Sequence, residues 1–392
     1  YLSKKFIFIF NINTMLKFEI NNVNIYLMNN ISILIKPSSS ICNIKCKYCF
    51  YLDESKNRTI ENNGIMNERV MRKIIDKVID SSCDNILFSF QGGEPTIAGL
   101  DYFKSFIDYL NFKNNNERRV NYSIQTNGLL INNEWCNLFK DNDFLIGLSF
   151  DIMENIHNKY RTGINNKEHT YNKVLNTKLL LDKFEIKYNI LTVLTSELSK
   201  FPKEVYENIK ILDIKYTQFI PCLSELYNDL EHSIKPKDFA YFYKEVFTLW
   251  KKDFLDGLYY SIQFFDNIIP LIGGFFTPMT CGINGICHNQ IVIESNGDIF
   301  PCDFYCLDKY NIGNIVYDDL KYIYNNKKVR DFISENKYAN NLCHSCKYFI
   351  FCNGGCKRMN KNMYIDDDFC GYKDFLDFSF NDILKIWEII SR

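Results

Sequence analysis

The chain reads as an α/β protein built from parallel βαβ units and followed by a small cysteine-rich domain. Three observations predict this. Apolar strand-like runs alternate with stretches of helical periodicity from Ile31 to Ile220. Three cysteines, Cys42, Cys46 and Cys49, fall in the loop after the first of those runs at CxxxCxxC spacing. Nine more cysteines crowd the segment from Cys281 to Cys370.

The totals set the frame. A chain of 392 residues is long enough for two domains, and 46% hydrophobic residues suffice for packed cores. A formal net charge of −1 gives no global electrostatic case for nucleic acid or an anionic membrane. No apolar run approaches a membrane span. Lys4-Lys5 and the run Phe6 to Phe10 faintly imitate an export signal, but the run is short, and polar Asn11 and Asn13 break the stretch after it. Fifteen cysteines without an export signal imply a cytoplasmic protein, where disulfides are disfavoured and clustered CxxC spacings read as metal or redox sites. Residues 1–27 are read as an extension, with Met28 as a candidate start just before the first core strand.

Ile31–Ile35 is a buried strand leading into the cysteine loop. Val70, Met71, Ile74, Ile75, Val78 and Ile79 recur at helical spacing, with Asn67 placed as a cap. Ile86–Phe90 is a strand running into Gln91-Gly92-Gly93-Glu94-Pro95. Further strands are predicted over Val120–Gln125, Leu145–Phe150, Tyr188–Leu194 and Tyr216–Ile220, with helices around Val174–Leu181 and Val205–Leu212. The turn Thr126-Asn127-Gly128 closes one strand and Asp151 another. Phe239–Leu255 looks helical and Gly273-Gly274 marks a break. The expected division is 28–235 for the core, 236–275 for a linker and 276–392 for the cysteine-rich domain.

Three thiolates on one loop hold three irons of a [4Fe-4S] cube and leave the fourth iron open to a substrate, whereas a carrier cluster takes four cysteines. The plain alternative is a zinc site short of one ligand. The glycines of Gly92-Gly93 let a backbone come close to a ligand.

CxxxCxxC followed by Gly92-Gly93-Glu94-Pro95, with Pro37-Ser38-Ser39-Ser40 and Phe50-Tyr51 around it, resembles the radical S-adenosylmethionine (SAM) family. The resemblance implies an open (β/α)6 partial barrel with its chemistry at the strand C-termini. It also implies that the open iron chelates SAM and that reduction releases a 5′-deoxyadenosyl radical. The SAM contacts it implies are Tyr48 toward adenine, the Gly92-Gly93-Glu94 turn toward the amino group, Ser149 toward the ribose, Arg161 toward the carboxylate or ribose, and Leu223 as an apolar adenine contact. Asp151-Ile152-Met153 stands where relatives often have Asp-Gly-Pro, a departure that alters the loop after that strand.

In the cysteine-rich segment one zinc ribbon explains only four thiols, so at least two sites are required, or many thiols are idle. CxxC at Cys343 and Cys346, then Cys352 and Cys356, resembles the SPASM domain, which holds two auxiliary [4Fe-4S] clusters. By motif, Cys281, Cys287, Cys302 and Cys356 hold one, and Cys343, Cys346, Cys352 and Cys370 the other. Cys306, Cys83, Cys136 and Cys222 are left as ordinary thiols. In Gly297-Asp298-Ile299-Phe300-Pro301-Cys302-Asp303 a strand and turn deliver Cys302, and Asp303 comes next as a candidate general base or simply a loop carboxylate.

Together with Pro301-Cys302-Asp303-Phe304-Tyr305, this pattern is similar to the anaerobic sulfatase-maturating enzymes from about Ile31 to Phe380. These oxidise a Cys or Ser in a C/S-x-P/A-x-R motif of an unfolded or nascent sulfatase to Cα-formylglycine. The implied sequence is hydrogen abstraction at Cβ, deprotonation by Asp303, and departure of an electron through the auxiliary clusters. The aldehyde then forms directly from Ser, or by hydrolysis of a thioaldehyde from Cys. The implied cofactors are three [4Fe-4S] clusters and SAM, and the implied electron donor is a flavodoxin or ferredoxin. The rival reading is a SPASM peptide maturase forming thioether or C–C crosslinks. Such enzymes often carry a peptide-recognition domain before the barrel, for which the 41 residues before Cys42 are too few.

Overall fold

The computed structural model describes residues 30–391 apart from 82, 116, 165–167, 276–280, 336–340 and 367, so the expected extension 1–27 lies outside the described residues. The chain enters through β1 (Asn30–Ile35), whose buried residues alternate with more exposed ones. The cysteine loop carries a short strand, β2 (Ile44–Cys46), and ends in α1 (Phe50–Lys56). Next come α2 (Glu68–Ile79), β3 (Asn85–Phe90), α3 (Leu100–Asn114), β4 (Arg119–Thr126), α4 (Asn133–Asp141) and β5 (Leu145–Ser149). The unit continues through α5 (Glu154–Tyr160), β6 (Arg161–Gly163), α6 (Tyr171–Lys183), β7 (Tyr188–Leu194), α7 (Pro202–Ile211) and β8 (Tyr216–Pro221).

The strands β1, β3, β4, β5, β7 and β8 lie side by side in chain order, and every pair is parallel. These are the six predicted strands. Parallel neighbours need crossover connections, and the intervening helices supply them. Helix α2 buries Val70, Met71, Ile74, Ile75, Val78 and Ile79, and the Asn67 side chain accepts from the Val70 N–H at its start. Between α3, α4 and the sheet, Phe88, Phe90, Phe103, Phe106, Trp135 and Phe144 form an aromatic core with edge and stacked contacts.

The expected linker 236–275 is itself folded onto the barrel. It holds α8 (Pro236–Leu255), β9 (Ser261–Ile262) and α9 (Gln263–Ile272), and β9 pairs parallel with β8. At the opposite edge, β10 (Val292–Ile293) pairs parallel with β1, and β11 (Asp298–Phe300) and β12 (Gly313–Asn314) extend it antiparallel. The result is one ten-stranded sheet ending on β12 and β9, and these two edges do not pair with each other. Neither expected division, at 236 or at 276, is a division of the sheet. The physical reason is that β1 and β8 would otherwise present unpaired backbone groups. Strands of two or three residues carry no readable periodicity.

The C-terminal helix, Gly371–Ile390, packs along α8. Tyr243, Phe247, Phe264, Phe265 and Phe375 interlock there, with Tyr243 and Phe264 ring centroids 4.3 Å apart. This apolar lock fixes the cysteine-rich segment against the barrel.

Candidate active site

Antiparallel pairing of β2 with β6 sets Cys46 opposite Arg161, so the backbone itself carries that arginine to the cysteine loop. Its guanidinium is buried and donates to the Tyr48 hydroxyl at 3.2 Å, and Tyr48 in turn donates to Asp151 Oδ2 at 2.5 Å. Asp151 Oδ1 accepts from the Val193 N–H at 3.0 Å, which ties the group to β7. Burial raises Asp151, and the neighbouring Arg161 charge opposes that rise. Burial also pushes the Tyr48 phenol up, so it remains a donor. The Tyr48 ring stacks on Tyr160 with centroids 5.8 Å apart, so its side chain faces the protein. Arg161 Nε is buried and has no partner among the described residues, which leaves a donor for an anionic ligand.

Behind this group lies His157, whose protonation is set by its neighbours. The Thr170 hydroxyl donates to the Arg161 carbonyl at 2.6 Å, so it accepts from His157 Nε2 at 3.0 Å. His157 Nδ1 accepts from the Asp151 N–H at 3.2 Å. The ring is therefore the neutral Nε2–H tautomer. Burial, reinforced by Arg161, lowers its pKa to about 2.

The Gly92-Gly93 turn comes close to the chain itself. A Cβ on Gly93 would stand 2.1 Å from the Ile41 carbonyl oxygen, and one on Gly92 2.8 Å from that of Ser39. The Gly93 and Glu94 N–H groups donate to the Ser39 and Ile41 carbonyls. The glycines thus clamp the turn against the segment that starts the cysteine loop. Glu94 is fully buried, and its carboxylate accepts from Thr96 N–H, Thr96 Oγ1, Thr126 Oγ1 and Asn127 N–H. Asn127 reaches on to Asn43 Oδ1 at 2.7 Å and Cys42 Sγ at 3.7 Å. Ser149 is the last residue of β5, and Leu223 is buried just after β8. Both stand at the strand ends that face the loop.

Burial pushes the Cys42, Cys46 and Cys49 thiols up to about 12, 12 and 11, and they also perturb one another. Iron takes thiolates, so loading this loop releases protons.

Asp303 is delivered to the same mouth from the cysteine-rich side. Its carboxylate accepts from the Tyr51 hydroxyl at 2.7 Å and lies 3.1 Å from Lys36 Nζ. Tyr51 also lies 3.2 Å from Gln91 Oε1. Lys36 directly follows β1 and is 1% exposed, with Glu54 at 3.5 Å, Glu294 at 3.8 Å and Cys306 Sγ at 3.0 Å. Burial works against its charge, but the groups around it prevail and hold its ammonium well above the ordinary lysine range. Cys306, expected as an ordinary thiol, is a buried member of this network; Cys83, Cys136 and Cys222 are plain buried thiols.

Burial first, then Cys356 and Cys281, raise the Cys302 thiol, and Cys287 raises that of Cys356. A Cβ on Gly282, whose φ is +84°, would meet Cys356 Cβ at 2.6 Å, which shows how tightly the segment after Cys281 lies on Cys356. Cys343, Cys346, Cys352 and Cys370 line one cavity with Tyr364 and Tyr372. Among the described residues no three such side chains converge as ligands of a single ion do. Four thiols around one cavity are the donor set of a cube, each of whose irons takes its own thiolate.

Residues 37–209 match the radical SAM superfamily and residues 285–347 an iron–sulfur cluster-binding domain, SPASM. The chain is 38% identical over 358 residues to a cysteine-type anaerobic sulfatase-maturating enzyme of Clostridium novyi, covering 89% of this chain and 95% of that one. It belongs to the anaerobic sulfatase-maturating enzymes. A serine-type member from Bacteroides thetaiotaomicron is 28% identical over 346 residues, covering 83% of this chain and 82% of that one. The solved structure of native anSMEcpe with bound AdoMet and Cp18Cys peptide superposes with a TM-score of 0.84 at 36% identity, covering 92% and 99% of the two chains. As a radical SAM enzyme with a SPASM domain, this maturating enzyme uses SAM and three [4Fe-4S] clusters. Its three cysteine sets, of three, four and four, suit that complement.

Sequence reasoning missed Lys36, Gln91 and Asn127 as members of the site, and saw Asp151 only as a strand end. Lys36 had a signal, since a lysine directly after a buried strand has to be paired. No helix among the described residues is long and apolar enough to cross a membrane.

Proposed function

We propose that the enzyme acts on the cysteine form of a sulfatase C-x-P/A-x-R motif and oxidises its Cβ to Cα-formylglycine, with Asp303 as the base. Supporting the cysteine preference is the higher identity to the cysteine-type relative, 38% against 28% for the serine-type one. The observation that carries the site assignment is the position of Asp303, next to cluster cysteine Cys302 and hydrogen-bonded to Tyr51, two residues after Cys49. SAM and the loop cluster, when bound, supply the one-electron removal of hydrogen from Cβ.

The chain's own residues do the rest. Asp303 takes the proton of the substrate thiol, while Tyr51 and Lys36 keep its carboxylate oriented. Cys42, Cys46 and Cys49 hold the cluster that binds SAM. Arg161, with its free Nε, and the Gly92-Gly93-Glu94 turn, Ser149, Leu223 and Tyr48 surround SAM. The auxiliary cysteines hold the clusters that accept the second electron. A flavodoxin or ferredoxin supplies the electron that reduces the loop cluster, and water hydrolyses the resulting thioaldehyde to the aldehyde and hydrogen sulfide.

The experiment is anaerobic turnover of two peptides that differ only in Cys or Ser at the target position, followed by mass spectrometry. Faster loss of mass from the Cys peptide, to formylglycine, is expected. A faster Ser peptide overturns the cysteine preference, and a crosslinked product without aldehyde overturns the reaction.

A further inference from the structure

We propose that the Tyr372 hydroxyl donates a hydrogen bond to the auxiliary cluster held by Cys343, Cys346, Cys352 and Cys370, and thereby raises its reduction potential. The inference rests on reading those four cysteines as cluster ligands.

Cys370 caps the C-terminal helix, its sulfur accepting from the Lys373 N–H at 3.4 Å. That fixes Tyr372 in the first turn, on the cavity wall lined by all four cysteines. The residue is 1% exposed, and its ring packs against Tyr364 with centroids 5.3 Å apart and Phe264 at 6.3 Å. Its hydroxyl oxygen is buried and has no hydrogen-bond partner among the described residues. The neighbouring Tyr364 differs, since its hydroxyl donates to the Gly282 carbonyl at 3.1 Å.

A buried hydroxyl without a partner is costly relative to an apolar replacement, so its presence calls for an acceptor. The acceptors that this cavity offers once filled are thiolate and sulfide sulfurs. A donor there stabilises the more negative, reduced cluster, and hydrogen bonds to sulfur are one of the levers that set such potentials.

The test is Tyr372→Phe in the fully reconstituted enzyme, with iron analysis and a potentiometric titration followed by electron paramagnetic resonance. The variant should keep its iron. The signal that is absent from a Cys343→Ala/Cys346→Ala control should titrate at lower potential, with its one-electron reduction constant about tenfold smaller, about 59 mV. The other two clusters should not move. Enzyme grown on 3-fluorotyrosine, whose phenol is a stronger donor, should shift the same signal upward. Full iron with an unmoved potential in the variant overturns the proposal. So does the absence of an upward shift with fluorotyrosine, which decides the matter if the variant loses iron. If the wild type itself lacks the signal that the double-cysteine control should remove, the ligand assignment fails instead.

Discussion

Lys36 Nζ lies 3.1 Å from Asp303 Oδ1, and this contact fastens the end of the first barrel strand to the residue after a cluster cysteine. Both groups belong to one buried network with Glu54, Glu294 and Arg58. Burial raises Glu54, whereas Lys36 and Arg58 overcome burial at Glu294 and lower it. Lys36 therefore serves two purposes. It balances buried carboxylates, and it holds the Asp303 carboxylate that is proposed above as the base.

Asp303→Asn keeps the size and removes the basicity. The variant should hold its clusters and cleave SAM, yet form aldehyde about 100- to 10,000-fold more slowly. Mass spectrometry of the peptide beside a count of 5′-deoxyadenosine separates the two steps. Near-normal aldehyde formation would return Asp303 to a loop carboxylate.

Lys36→Met removes the cation from the buried carboxylates at nearly constant volume. Breaking a buried pair costs about 3–5 kcal/mol, and the urea midpoint of anaerobic unfolding should fall accordingly. A loss below about 1 kcal/mol, the range of an exposed pair, would contradict the burial argument.

Replacing Cys42, Cys46 and Cys49 together by Ala should abolish SAM cleavage and remove about four of about twelve irons, one cube of three. The auxiliary clusters should still assemble. Undiminished 5′-deoxyadenosine would show that cleavage occurs elsewhere.

Glu94→Gln puts an amide where four donors now converge, so one donor faces another. The expected cost is about 1–3 kcal/mol in stability, read by thermal unfolding, and weaker SAM binding, read by equilibrium dialysis. Wild-type values for both would mean that the turn is not held through this carboxylate.

His157 gives a pH dependence with a definite sign. Its folded pKa is lowered to about 2, while the unfolded chain takes up a proton near 6.5. The stabilising contribution is therefore complete above about pH 6.5 and is lost as pH falls toward the folded value. The slope is about 1.4 kcal/mol per pH unit. A urea series from pH 7 to pH 5 on wild type and His157→Gln should show the steeper loss in wild type. Parallel slopes would mean that the ring is charged in the fold.

Much of the fold was legible in the chain. The six parallel strands announced themselves because buried strands with covering helices concentrate Ile, Val, Leu and Phe in runs, as in Ile31–Ile35 and Ile86–Phe90. Asn67 was readable as a cap because capping is local. The CxxxCxxC loop was readable because the spacing of its three cysteines is local too. By contrast β9 to β12 are too short to show a period, and α9 and the C-terminal helix are amphipathic only relative to each other and to α8.

The sequence by itself determined the six barrel strands and the CxxxCxxC loop, since each depends on residues a few positions apart. Only the tertiary structure decided what Gly93 is for, what Cys306 touches, and that Arg161 stands opposite Cys46. It alone brought Asp303 to Tyr51 and Lys36, and set Tyr372 on the wall of a cavity that four cysteines also line. Those facts depend on which buried charges and donors find partners, and in a folded chain partners are chosen by packing across long sequence separations, which no local pattern encodes.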